Sequence, residues 1–450
     1  MAWFCGIPVI NGPGIVGRRL SMCQLRITFY STLFFFVKTY GRIKPMQQMK
    51  RRIEMISKKM QQEIKGSATI RAMFQEGRAM AQEFGAENVY DFSLGNPMTP
   101  VPAEFNRAVV EAVQTVSSME LHGYMDNAGY PETRQAVAED LNRRFGTDFE
   151  GKHIVMTVGA AGALNVVCKT LLDPGDEVLA LAPYFGEYRS YVANHQGVLR
   201  EVKPDAKTFQ PDLADFEAKI TEATKAVIIN NPVNPTGVIY PAGIIQAMAD
   251  ILRKKQAAYG KEIYLVSDEP YRELAYDGNE VPFLTHYYDN TFVTYSFSKS
   301  LSIPGERIGY IAACPKMAGC SQALSGLSVA NRMLGFVNAP SLMQKALVAS
   351  MGAKTDVAYY DRNRQLIYGS LAKLGFTCAK PQGAFYLWVK SPDADEKKFV
   401  EAAKRHHILL VGGATFSCPG YVRLAYCVSY EMIERSLPAF KKLAEEYRLA

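Results

Sequence analysis

From about residue 60 the apolar positions fall into regular patterns. In "SATIRAMFQEGRAMAQEFG", Ile70, Met73, Phe74, Met80, Ala81 and Phe84 lie close to one helical face, and Gly85 is placed to stop the helix. Met and Phe at this spacing mark a core-facing side. Strands and helices then alternate. "HIVMTVG", "EVLALA", "KAVIINN", "IYLVSDE", "FVTYSFS" and "RIGYIAAC" read as strands, and "ALNVVCKTLL" and "GIIQAMADILRKKQ" as helices. Short apolar runs interleaved with helices predict a mostly parallel sheet covered on both faces, with ligands gathering at the carboxyl ends of its strands. The C-terminal third changes character. Helices over about 340–374, "GAFYLWV", a helix near 396–405, "YVRLAYCVS" and a last helix from about 431 predict a smaller α+β unit. The chain has no internal repeat, low-complexity tract or long linker.

Composition sharpens this picture in three places. A length of 450 residues exceeds one simple core, and 48% hydrophobic with 21% charged residues is ordinary for a globular protein. The formal charge of +7 belongs to one end: residues 1–60 carry net +10 and the remainder net −3, which argues against a nucleic-acid partner. In that basic end the charge-free stretch "ITFYSTLFFFV" is about half the roughly 20 residues a membrane span needs, so no membrane partner is expected. The leader begins apolar and its arginines come late, unlike a secretory signal. An organelle transit peptide is the lesser reading; an extension ahead of a functional start near Met55 or Met60 is the main one. The eight cysteines form no CxxC pair and read as reduced core thiols of a cytoplasmic protein. His406 and His407, read as neighbours on a strand, point apart, so no metal site is expected.

Four polar clusters sit at predicted strand ends: "VGAAGAL" (158–164), "NNPVNPTG" (230–237), "SDEPY" (267–271) and "YSFSKSLSIPGERIGY" (295–310). Singly they read as a packed turn, a proline turn, solvated carboxylates and a surface lysine. Brought to one point, they make a more specific set. Free N–H groups of Gly159, Ala160 and Ala161 at a helix start, hydroxyls of Ser296 and Ser298 and the guanidinium of Arg307 compose a phosphate cup. Asp268 at a strand end suits a protonated heteroaromatic nitrogen, and Tyr271 with Asn234 suits a phenolate oxygen. Lys299 is left facing the middle, where desolvation lowers an amine's pKa as a Schiff-base nucleophile requires. Phosphate, ring nitrogen, phenolate and aldehyde are the four handles of pyridoxal 5′-phosphate.

On these motifs the chain resembles the fold-type I pyridoxal-phosphate enzymes, and most closely the class I/II aminotransferases of the aspartate aminotransferase type, over about residues 65–447. The resemblance implies an α/β fold: a mostly parallel seven-stranded sheet sandwiched by helices, plus a smaller α+β domain. It implies a basic extension over 1–59, an N-terminal arm and small-domain part over 60–97, a large cofactor domain over 98–339 and a C-terminal small domain over 340–450. Lys299 would carry the cofactor, Arg307 its phosphate and Asp268 its ring nitrogen. Phe185 in "APYFGEY" would stack on the ring, Arg423 in "YVRLAYCVS" would clamp the substrate carboxylate with Asn234, and Gly95 would offer that carboxylate its N–H. Tyr124 would reach the phosphate of a second subunit, implying a homodimer with shared sites. Two departures stand out: Gly159-Ala160-Ala161 replaces a GG turn, and Phe185 replaces a tryptophan.

The implied activity is ping-pong transfer of the α-amino group of an L-amino acid to a 2-oxo acid, with aspartate, aromatic or alanine-type substrates. Arg332 is the candidate for a second carboxylate, whereas Tyr124, Phe185, Tyr188 and Phe385 would favour aromatic or aliphatic side chains. Two alternatives are a carbon–sulfur β-lyase and a non-catalytic pyridoxal-phosphate-binding regulatory protein. The presence of Arg423 counts against the second.

Overall fold

The computed structural model describes residues 55–449; most of the basic extension, with Cys5 and Cys23, lies outside them. Compactness divides the chain between Gly66 and Ser67. In the first unit Ser57 caps a helix start, its Oγ accepting from Met60 N at 3.2 Å. That helix, Lys58–Phe84, ends where the sequence placed its stop, at Gly85 with φ 86°. Met73 on it is buried; the side chains of Ile70 and Phe74 lie outside the described residues. Phe84 is half in water and stacks on His407 at 4.3 Å.

The second unit holds three sheets. In chain order the strands are β1 Tyr90–Asp91, β2 Ile154–Thr157, β3 Glu177–Leu181, β4 Val198–Val202, β5 Thr224–Asn230, β6 Tyr264–Asp268, β7 Thr291–Ser296 and β8 Gly309–Ala313. Then follow β9 Cys378–Ala379, β10 Tyr386–Lys390, β11 Ile408–Leu409, β12 Val411–Gly412 and β13 Tyr421–Ala425. The large sheet has seven strands in the order β2-β8-β7-β6-β5-β3-β4. It is parallel except for β8, which runs antiparallel to both β2 and β7. Strand β4 is not legible in the sequence because it is an edge strand with Arg200 and Glu201 facing outward, so the continuous apolar signal of an inner strand is missing.

Both faces of the sheet are buried, as period-two alternation requires. Val178, Ala180, Ile228 and Phe292 pack on the helix Gly159–Leu171 side with Leu164, Val167 and Leu327. Leu179, Leu181, Val227 and Leu265 pack on the other side with Ile245, Met248 and Leu252 of the helix Ala242–Tyr259. Neighbouring β2 and β7 residues there meet Val137 and Leu141 of the helix Pro131–Phe145. The C-terminal strands form an antiparallel sheet, β12-β13-β10-β9, whose core includes residues of the helices Val357–Lys373, Glu396–Arg405 and Tyr430–Glu446.

Two details differ from the sequence expectation. His406 and His407 sit at a helix C-terminus, not on a strand: His406 lies 3.0 Å from Glu446 and His407 has φ 60°. Of the described cysteines, Cys168, Cys314 and Cys427 are buried, but Cys320, Cys378 and Cys418 are only partly so. No described helix is long and apolar enough to cross a membrane.

Candidate active site

The carboxyl ends of β2, β5, β6 and β7 lie along one edge of the large sheet, and the chain enters β8 at the same edge. Ser296 and Thr157 both pair with Gly309, so the residue two before Gly309, Arg307, arrives between the ends of β2 and β7. Its Nη1 donates to Pro304 O at 2.8 Å and its Nη2 to Val158 O at 3.3 Å. Gly159, with φ +79°, opens the 13-residue helix Gly159–Leu171. A Cβ on it would lie 2.9 Å from Arg307 Nη2 and 3.4 Å from Ser296 Oγ, so only glycine leaves this cradle open. Ser296 Oγ and Ser298 Oγ are 2.7 Å apart. Helix-start amides, two hydroxyls and a guanidinium thus surround one point, a donor set suited to a phosphate dianion.

Asp268 ends β6 and is 4% exposed. Its Oδ2 accepts from Tyr188 OH at 2.5 Å, and Asn230 Nδ2 reaches the same oxygen at 3.4 Å. Its Oδ1 is buried with no partner. Burial raises this carboxyl to about 7, the Tyr188 hydrogen bond opposing and the neighbouring Glu269 adding. A buried carboxylate with one free oxygen fits a cationic ring N–H.

Lys299 lies in the four-residue helix Phe297–Ser300, which Ser296 caps. Its Nζ donates to Gly95 O at 2.6 Å and sits 5.3 Å from the Phe385 ring centre. Among the described residues no carboxylate pairs with it. Burial lowers its pKa to about 8; Cys427 opposes, and Arg423 and Arg307 lower it further. The nucleophile is the neutral amine, so covalent attachment of pyridoxal phosphate to cofactor-free protein is expected to speed up as pH rises through about 8 and then level off. Stopped-flow absorbance checks this; a rate still climbing at about pH 9.5 would contradict the burial argument.

Arg423 in β13 is 5% exposed and lies between the Tyr386 and Phe416 rings, 4.5 and 4.8 Å from their centres. Nη1 donates to Asn234 Oδ1 at 3.0 Å and Nη2 to Ser93 O at 2.7 Å, while Nε has no partner. A guanidinium held only by neutral acceptors in this way calls for an anion. Tyr271 OH lies 2.8 Å from Tyr386 OH, and a Cβ on Gly95 would strike that same Tyr386 hydroxyl.

The structure therefore brings together Gly95, Gly159, Asn234, Asp268, Tyr271, Ser296, Ser298, Lys299, Arg307 and Arg423. Ala160 and Ala161 lie in the first turn behind Gly159, and half-buried Phe185 meets Tyr188 edge-on at 5.8 Å. Two sequence candidates are exposed on the single chain. Tyr124 is 93% exposed, and Arg332 is exposed in the last turn of the helix Cys320–Met333. Tyr188, read as a selector of substrate side chains, has its hydroxyl on Asp268. Asn230, Ser93, Tyr386 and Phe416 are site residues that the motifs do not single out. Asn230 is visible as a polar residue closing an apolar strand; nothing in "GAFYLWV" marks Tyr386 as more than core. The free oxygen of Asp268, the glycine cradle and the carboxylate-free lysine fit ring nitrogen, phosphate and aldehyde respectively.

Residues 87–440 match the family model described as aminotransferase class I and II. The chain is 31% identical over 389 residues to the aspartate/prephenate aminotransferase of Thermus thermophilus, covering 85% of this chain and 97% of that one. It is 30% identical over 383 residues to the probable aspartate/prephenate aminotransferase of Aquifex aeolicus, covering 82% and 94%. Among solved structures, an amino transferase from Eubacterium rectale has a TM-score of 0.84 at 44% identity, covering 87% of this chain and 99% of that one. The aspartate aminotransferase of Thermus thermophilus with maleate has a TM-score of 0.75 at 27% identity, covering 83% and 96%.

Proposed function

This chain belongs to the aminotransferase class I and II family and is a pyridoxal-phosphate-dependent transaminase; from that premise we propose that it runs a ping-pong cycle on L-amino acids and 2-oxo acids, with aspartate, aromatic or alanine-type donors. The observation that carries this reading is that Lys299, its amine desolvated and without a carboxylate partner among the described residues, and a buried aspartate with one free oxygen lie at the same sheet edge.

When bound, pyridoxal phosphate supplies the electron sink for the charge left on the substrate Cα. The amides of Gly159, Ala160 and Ala161, the hydroxyls of Ser296 and Ser298 and the Arg307 guanidinium hold its phosphate. Asp268 Oδ1 would keep the proton on its ring nitrogen, Tyr271 and Asn234 would donate to its phenolate oxygen, and Phe185 would cover the ring. Arg423 takes the substrate α-carboxylate by a two-pronged contact, with Asn234 and the Gly95 N–H beside it. Lys299 Nζ would move the α-proton, first as general base and then as general acid. Because one substrate site serves both half-reactions and the amino group is held on the enzyme between them, donor and acceptor bind in alternation.

The enzyme works as a cytoplasmic homodimer in this reading. The support for the dimer is Tyr124, an aromatic ring left almost wholly in water on one chain, as a residue completing a second subunit's phosphate cup would be. The proposed domain division is an arm and small-domain part over 60–97, a cofactor domain over 98–339 and a small domain over 340–450.

The deciding experiment records the absorption spectrum of the loaded protein before and after single amino acids, beginning with aspartate, glutamate, alanine and tyrosine. Conversion to the shorter-wavelength amine form of the cofactor, with release of the matching 2-oxo acid, is the expected outcome and names the donor. Release of pyruvate and ammonia without that conversion would replace transamination by β-elimination.

A further inference from the structure

We propose that Asn230 is a positioning residue that ties the carboxylate at the cofactor end of the site to the arginine at its substrate end, an assignment that rests on the transaminase reading above. Asn230 closes β5 opposite Asp268 in the register of β5 and β6 and is 7% exposed. Its side-chain amide works in two directions. Nδ2 donates to Asp268 O at 2.9 Å and reaches Asp268 Oδ2 at 3.4 Å. Oδ1 accepts from Asn234 N at 2.7 Å. Asn234 in turn presents Oδ1 to Arg423 Nη1 at 3.0 Å. One short planar group therefore sets where Asp268 sits at the end of its strand and where the Asn234 turn begins. Through that turn it sets the aim of Arg423.

The chemistry explains why asparagine fills this position. The chain leaves the ladder at Asn230, so the Asn234 amide turns away from the sheet and needs an acceptor that the backbone does not provide. On the other side, Asp268 Oδ2 gains a second donor beside Tyr188, which keeps that oxygen engaged and leaves Oδ1 as the free one. Asparagine alone among small side chains carries donor and acceptor on one rigid end. Aspartate keeps the acceptor but places a second carboxylate oxygen against Asp268, and alanine keeps neither.

That difference separates positioning from a general structural role. Wild type, Asn230→Ala and Asn230→Asp, each full length and stripped of cofactor, would be titrated with pyridoxal phosphate by fluorescence. Once reloaded, each would be tested for the dissociation constant of the fastest-reacting amino acid in single-turnover half-reactions. Asn230→Ala is expected to weaken both constants about tenfold or more, the effect of losing a hydrogen bond to a charged or buried partner. Asn230→Asp is expected to weaken pyridoxal phosphate about tenfold or more, by like-charge repulsion at Asp268, while the amino acid constant stays within about threefold of wild type. The proposal is overturned if Asn230→Asp weakens both constants equally, or if Asn230→Ala leaves either within about twofold. If Asn230→Ala does not fold, the split in Asn230→Asp decides alone. A wild type that takes pyridoxal phosphate but reacts with no amino acid would refute transamination instead, and the pyridoxal phosphate titration of Asn230→Asp would still uphold or overturn the Asp268 half.

Discussion

Lys299→Ala is expected to reduce transamination by about 10⁴-fold or more, because one side chain serves as both covalent anchor and proton carrier and neither task has a substitute nearby. The other cations close to it are committed elsewhere: Arg307 to Pro304 O and Val158 O, and Arg423 to Asn234 and Ser93. Both are guanidinium groups that keep their protons at any working pH. The variant should fold, since removing a buried amine held only by Gly95 O and the Phe385 ring relieves a desolvation cost. It should also still bind pyridoxal phosphate reversibly through the cup at Gly159 and Arg307. Equilibrium dialysis and single-turnover kinetics read the two properties separately. Residual turnover within about a hundredfold of wild type would mean that another group moves the proton.

Asp268→Asn is expected to lower the half-reaction rate by about 10²- to 10⁴-fold, the loss that follows when one partner of a buried charge pair is removed at about 3–5 kcal/mol. Asparagine keeps the volume and the Tyr188 contact but carries no charge for the ring nitrogen. A second readout needs no activity. In the cofactor-free fold, burial lifts the Asp268 pKa to about 7 from its ordinary 3.8. The group therefore contributes stability that is fully present below about pH 4 and lost as pH rises through about 7. Asp268→Asn removes that loss, so the cofactor-free variant should melt higher than cofactor-free wild type at pH 7.5 to 8. A melting temperature equal to or below wild type there would show that burial of the carboxylate carries no cost.

Much of this molecule is legible in its amino-acid sequence. The strands "IVMT", "EVLAL", "AVIIN", "YLVSD" and "FVTYS" announce themselves as short apolar runs, and the last three end on polar residues of the site, Asn230, Asp268 and Ser296. This works because a strand buried on both faces is mostly apolar along its length, so a strongly polar residue at its carboxyl end stands out. What stays hidden is polar or generic. Strand β4 is charged because it is an edge, Tyr386 looks like any core tyrosine, and Tyr188 gives no sign in "APYFGEY" that its hydroxyl meets a carboxylate 80 residues away.

The sequence by itself determined the element types, the two-face burial of the large sheet and the inventory of reactive groups, since these depend on local periodicity and residue chemistry. Tertiary structure alone decided which groups meet. The antiparallel insertion of β8 between β2 and β7 carries Arg307 to the helix start at Gly159. A second sheet delivers Arg423 to Asn234 from 189 residues away, and the pairing of β5 with β6 sets Asn230 against Asp268. Strand order and sheet-to-sheet packing are set by the summed burial of many apolar contacts, which no local stretch of sequence contains.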